Sequence, residues 1–170
     1  MGNERLENLL RGFLLPKIDR RFTIRLACVV CVSVVFFGLV CRPCVIDGES
    51  MVPTYSSKGF LFCWRPVFWF RKPRRGEVVM VRFVGRNVLL LKRVVALSGD
   101  TVEFRNGLLY VNNVEIVEAW NPPGRSDWNL EPRLVDPGNV YVVGDNRSMS
   151  IDDHIFGQVS AKRLEGVPVF

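Results

Sequence analysis

Histidine is nearly absent from this chain of 170 residues; the only one stands at position 154. Proton-transfer chemistry therefore has to be sought chiefly in other side chains. Neither a helix-turn-helix pattern nor zinc-finger spacing accompanies the formal charge of +6, so the basic excess points to a lipid surface and away from nucleic acid. Internal repeats and low-complexity tracts are missing as well, and the length allows one domain of ordinary size, or one domain plus an anchor. The five cysteines include two CxxC pairs, Cys28 with Cys31 and Cys41 with Cys44. Three of these four lie in an apolar run, where a thiolate–zinc cluster is costly and cysteine serves as a small apolar residue. No metal or other cofactor is expected. A Cys41–Cys44 disulfide is compatible with an oxidising face, but nothing requires it.

What is present is apolar: 48% of the residues are hydrophobic and 11% aromatic, ample for a packed core. Residues 1–25 are polar and basic, and Leu6, Leu9, Leu10, Phe13 and Leu14 fall at near-helical spacing, which predicts a short amphipathic helix on a membrane surface. Leu26 to Cys41 is an uncharged run of sixteen residues, flanked by Arg25 and Arg42, which can snorkel. The basic region ahead of it is long, and no small-x-small site precedes Arg42-Pro43, so the run reads as an uncleaved signal anchor. The positive-inside rule leaves residues 1–25 in the cytoplasm and 42–170 outside.

Beyond the anchor the chain is mostly β. Gly59–Trp64, continued by Pro66–Phe70, then Gly76–Val84, Asn87–Leu97 and Asn139–Val143 are β-branched, aromatic or aliphatic runs bounded by turn residues. Asn106-Gly107 joins Thr101–Phe104 to Leu108–Val111 as a two-residue hairpin, and Asn112-Asn113 makes the next turn. Residues 119–138, rich in proline and glycine, read as an extended loop. The aromatics of Pro66–Phe70 stand directly before Arg71-Lys72-Pro73-Arg74-Arg75, which suits either an interfacial patch on a phospholipid membrane or a core strand ending in a basic turn.

Two stretches carry chemistry. In Gly48-Glu49-Ser50-Met51-Val52-Pro53-Thr54, glycine and proline force a turn that presents a serine hydroxyl and its own N–H to one point, as acyl transfer requires. An ordinary turn serine fits those residues too. Lys92 lies mid-strand among apolar neighbours, sharing a face with Leu90, Val94 and Ala96 while Arg93 points the other way. One of the two charges must then be buried. A buried lysine loses its proton, and the neutral amine can act as a general base on serine. An edge-strand lysine that deters aggregation is the plainer reading, but with Ser50 upstream and a lone histidine a Ser–Lys dyad is the more economical one.

Four blocks in order behind an anchor give the chain a resemblance. Gly48–Thr54, Arg75-Gly-Glu-Val-Val79, Lys92–Asp100 and Gly144–Asp152, with Gly157 shortly after, resemble the bacterial type I signal peptidases, a family that includes the mitochondrial inner-membrane peptidases. The resemblance implies an antiparallel β-sheet catalytic domain behind one transmembrane helix. It implies Ser50 as nucleophile, Lys92 as general base and Ser150 as the hydroxyl that positions the lysine amine. Asp145, Asn146 and Asp152 would support the site, and Met51 would line the substrate groove. Two departures stand out: Gly48 offers no hydroxyl as a second oxyanion donor, and Asp152-Asp153-His154 stands where many members have Asp-Ser-Arg. His154 is then expected either to replace the arginine that pairs with Asp152 or to be a solvated loop histidine.

These readings converge on a single-pass enzyme of the inner (plasma) membrane that cleaves signal peptides from preproteins on the extracytoplasmic side. A pilus- or conjugation-specific maturation peptidase and a catalytically idle, membrane-tethered peptide binder are the alternatives. A self-cleaving repressor would need a DNA-binding domain where this chain has an anchor.

Overall fold

The computed structural model describes residues 18–82, 89–118 and 128–169. The amphipathic helix expected over Leu6–Leu14 lies outside them. The chain divides into two compact units between Leu39 and Val40. In the first, helix α1 (Arg20–Val35) begins at Asp19, whose carboxylate accepts from the Phe22 N–H at 2.7 Å, and runs on into a π-helical turn, Phe36–Val40. Together these 21 residues have a mean hydropathy of 2.4 in their most apolar window and bury none of their side chains. At 1.5 Å per residue they span about 30 Å, the thickness of a bilayer's hydrocarbon core. The helix starts six residues before the uncharged run, because Arg20, Arg21 and Arg25 are good helix formers and Asp19 supplies the cap.

The second unit contains eleven strands among the described residues, all paired antiparallel. They are β1 (Cys41–Asp47), β2 (Lys58–Trp64), β3 (Val78–Arg82), β4 (Leu89–Leu97), β5 (Thr101–Arg105), β6 (Leu108–Val111), β7 (Val114–Glu115), β8 (Leu130–Leu134), β9 (Asn139–Val143), β10 (Gly157–Ser160) and β11 (Leu164–Val169). One sheet runs β1-β2-β11-β3-β4-β9-β10 and a smaller one β7-β6-β5-β8. The expected hairpin at Asn106-Gly107 forms with both residues at positive φ, and Asn112-Asn113 turns the chain in the same way.

Two local expectations are corrected. Val67–Phe70 is a short helix, α2, whose Phe68 packs on the core while Trp69 and Phe70 are exposed, so the apolar run does not continue β2. Within the supposed loop of residues 119–138, Leu130–Leu134 is strand β8 at the edge of the small sheet, where Pro132 costs no ladder bond on the open side.

Central strand β4 feeds all three apolar clusters. Leu91 joins Met51, Leu61, Cys63 and Met80; Val94 joins Val79, Val81, Val140, Val142 and Leu164; Val95 and Ala96 join the largest cluster, with Trp128, Phe104, Tyr141 and Val143. A register shift between Val94 and Ala96 carries Ala96 off the face it was expected to share with Lys92. Trp128 is fully buried in the largest cluster; its ring meets Phe104 edge-on and stacks on Phe156, and its indole N–H donates to Met149 O at 2.8 Å. Trp128→Ala should lower the unfolding free energy of this unit by roughly 3–5 kcal/mol, read by denaturant titration, with Trp128→Phe losing less.

Candidate active site

Ser50 is held on a turn whose two ends are fixed differently. At the front, Gly48 sits at φ 112°, a backbone conformation open to glycine at little cost. At the back, Tyr55 N–H donates to Met51 O at 2.9 Å. Met51 is buried under the turn against Leu61, Met80 and Leu91. Ser50 and Met51 both line a cavity of about 90 Å³ bordered by Val45, Ile46 and Leu89–Leu91.

Lys92 Nζ stands 2.9 Å from Ser50 Oγ. The lysine is 3% exposed, and burial pushes its amine down to about 8, with the Asp145 carboxylate opposing the shift. No carboxylate among the described residues forms an ion pair with it.

The neighbouring charge is buried too, and this departs from the expectation that only one of the pair would be. β4 lies between β3 and β9 and is covered on both faces, so Arg93 needs its own counterion. Its Nε and Nη2 donate to the two carboxylate oxygens of Asp145 at 2.7 and 2.5 Å, and Nη1 donates to Gly76 O. Asp145, fully buried, also accepts from Thr54 Oγ1 at 2.6 Å. One carboxylate thus joins the serine turn to the lysine strand. The adjacent pair Lys92-Arg93 in an apolar run was the signal available for this partner, since period-2 alternation puts the two on opposite faces.

Asn146 makes the second tie. Its backbone N–H donates to Ser50 O at 2.9 Å and its side-chain amide to Glu49 O at 3.0 Å. Gly144 lets the segments close on each other: a Cβ there would lie 2.3 Å from Ser50 O and 2.7 Å from His154 Cε1. Behind it, Arg147 and Glu118 form an ion pair at 2.8 Å that is almost entirely buried, and Arg147 Nε donates to Gly144 O. Burial pushes the Glu118 carboxyl up, with Arg147 opposing. Sequence reasoning missed Thr54, Glu118 and Arg147; the separation of 29 positions between the last two leaves no local pattern.

Two expected supports are placed differently. Ser150 is half-buried and its carbonyl accepts from Asp153 N–H; among the described residues no hydrogen bond joins its hydroxyl to Lys92. Asp152 is exposed and makes no ion pair among those residues. His154 does not pair with Asp152 as expected. Its ring is buried edge-on against Trp128, and Nε2–H donates to Asn146 O at 2.7 Å. The carbonyl accepts only, so the proton sits on Nε2 and Nδ1 is left buried without a partner. Burial pushes the imidazole down to about 4, helped by the nearby Lys92 and Arg147 charges.

Two outcomes follow from this geometry. Asp145→Asn should destabilise the fold by about 3–5 kcal/mol in denaturant titration, because it leaves Arg93 buried and uncompensated. His154, with its folded pKa below the ordinary 6.5, binds a proton in the unfolded chain first, so stability should fall as pH drops from 6.5 towards 4. His154→Gln keeps a donor for Asn146 O and should flatten that part of the curve.

The profile of the family described as "Signal peptidase, peptidase S26" matches residues 20–170. A thylakoidal processing peptidase 1 of Arabidopsis thaliana is 32% identical over 83% of this chain, which spans 44% of that longer protein. Signal peptidase I of Bacillus licheniformis is 30% identical over 76% of this chain and 75% of its own length. A solved signal peptidase I from Enterococcus faecalis aligns with a TM-score of 0.47 at 27% identity, over 57% of this chain and 97% of that one. The chain belongs to the signal peptidase family, peptidase S26.

Proposed function

We propose that the protein is a membrane-bound serine endopeptidase that removes N-terminal signal peptides from translocated preproteins, with Ser50 as nucleophile and Lys92 as general base. The observation that carries this reading is the 2.9 Å approach of a buried lysine amine, with no carboxylate partner among the described residues, to a serine hydroxyl. At pH 7 roughly one such amine in ten is neutral, against fewer than one in a thousand for an ordinary lysine.

The neutral amine takes the Ser50 proton as Oγ attacks the scissile carbonyl carbon. The oxyanion that forms has the Ser50 backbone N–H available, which takes no acceptor among the described residues. When the C–N bond breaks, the Lys92 ammonium returns the proton to the departing nitrogen and leaves an acyl ester on Ser50. Lys92 then draws a proton from water, the hydroxyl attacks the ester carbonyl, and as the C–Oγ bond breaks the Lys92 ammonium returns the proton to Ser50 Oγ, releasing the signal peptide. The roughly 90 Å³ cavity beside Ser50, walled by Met51 and leucines, suits the small residues that the family takes before the cut. Asp145 and Asn146 act as supports that fix the two partners.

The 21-residue apolar helix would hold the enzyme in the plasma membrane with the second unit outside. Exposed Trp69 and Phe70, next to Arg71 and Lys72, give that unit rings and cations for a phospholipid headgroup layer.

The test uses detergent-solubilised protein and a preprotein with an Ala-x-Ala site. Wild type should cut there, while Ser50→Ala and Lys92→Ala should lose on the order of 10⁴- to 10⁶-fold in kcat. Cleavage surviving in Lys92→Ala would remove lysine as the base. For wild type, log kcat/KM should rise with pH and level off above about 8, because the active form is the deprotonated amine.

A further inference from the structure

Ser50 and Lys92 open onto different cavities. Ser50 lines the apolar one already described, and Lys92 does not. Lys92 lines a second cavity of about 110 Å³ to which Ser50 does not contribute; its walls include Leu90, Arg82, Phe156, Gln158 and Arg163. Leu90 borders both, so the two spaces are neighbours with one member of the pair on each.

The proposed reaction assigns a half of the substrate to each. The acyl half becomes bonded to Ser50 Oγ and belongs on the serine side. The departing nitrogen must reach Lys92 Nζ to collect its proton, so the chain beyond the cut leaves on the lysine side. We propose that the second cavity receives the first residues of the mature chain and, through Arg163, favours acidic side chains there over basic ones. This rests on the peptidase reading.

The charges around the cavity point one way. Among the described residues no carboxylate lines it. Arg82 is engaged by Glu165, which also takes Arg65 at 3.2 Å. Gln158 is bonded through both ends of its amide to Asp136. Arg163 is exposed and has no ion pair or hydrogen-bond partner among the described residues, and Lys162 beside it is exposed as well. An incoming carboxylate meets an unspent guanidinium, while an incoming ammonium meets only like charge. Partial exposure keeps the effect modest and makes it sensitive to salt.

The experiment compares three peptides identical up to an Ala-x-Ala cut, carrying Glu, Gln or Lys at the second and third positions after it. kcat/KM is measured with the full-length protein in detergent at low and high ionic strength. Wild type should favour the Glu over the Lys peptide by about five- to tenfold at low salt, with Gln between them and the ratio shrinking at high salt. Arg163→Gln should bring the ratio towards one and Arg163→Glu should invert it. Equal rates for Glu and Lys peptides in wild type, or a ratio indifferent to Arg163→Glu, would overturn the subsite while leaving the peptidase intact. Failure of wild type to cut any of the three would overturn the peptidase reading itself, and the subsite with it.

Discussion

Asp145 carries the arrangement of the site. Its carboxylate holds both prongs of Arg93 and the Thr54 hydroxyl, in surroundings that admit no water to it. Two charges removed from solvent contribute little net stability, and an apolar pair of equal volume would hold the fold as well. An apolar pair would not fix angles. The bidentate fork does, and Arg93 is covalently next to Lys92, so orienting one residue of β4 orients the other. Thr54 closes the tie on the serine side. Ser50 and Lys92, the proposed nucleophile and base, are thus referenced to one buried group.

The two adjacent cations of β4 show how environment divides labour between similar side chains. Arg93 is matched with a carboxylate; Lys92, whose side chain can give up its proton, has none among the described residues. Exchange of the two residues would waste both sites. A guanidinium beside Ser50 would never accept a proton, and an ammonium against Asp145 could not fork across both oxygens. A second, buried pair, Arg147 with Glu118, backs the same loop from the side of the small sheet, with Arg147 lying over the rings of Phe104 and Trp128.

Much of this was legible in the residues because local rules decide it. Turn-forming Gly48 and Pro53 place Ser50, and the period of two along β4 separates Lys92 from Arg93. Asn106-Gly107 sets its hairpin without help from elsewhere. The readings that failed are those where tertiary context overrode composition. Val67–Phe70 has strand-like residues but coils into one helical turn that packs Phe68 inward. Pro132 spoke against a strand, yet β8 needs bonds on one side only. His154 looked like a substitute for arginine opposite Asp152, and what decided otherwise was an apolar wall, Trp128, 26 residues earlier in the chain. No spacing rule connects such partners.

The order of strands in the large sheet bears on when this site comes into being. The Ser50 turn belongs to the β1–β2 hairpin and Lys92 to the β3–β4 hairpin, and the two hairpins do not pair with each other. β11 lies between them, bonded to β2 on one side and β3 on the other. Each hairpin can form as soon as its own residues are available, but the sheet joining them waits for a strand some hundred residues later than Trp64. Contacts of that separation form slowly. A growing chain would carry both Ser50 and Lys92 well before they could meet, and the last strand to arrive would act as the latch that brings two separate hairpins together.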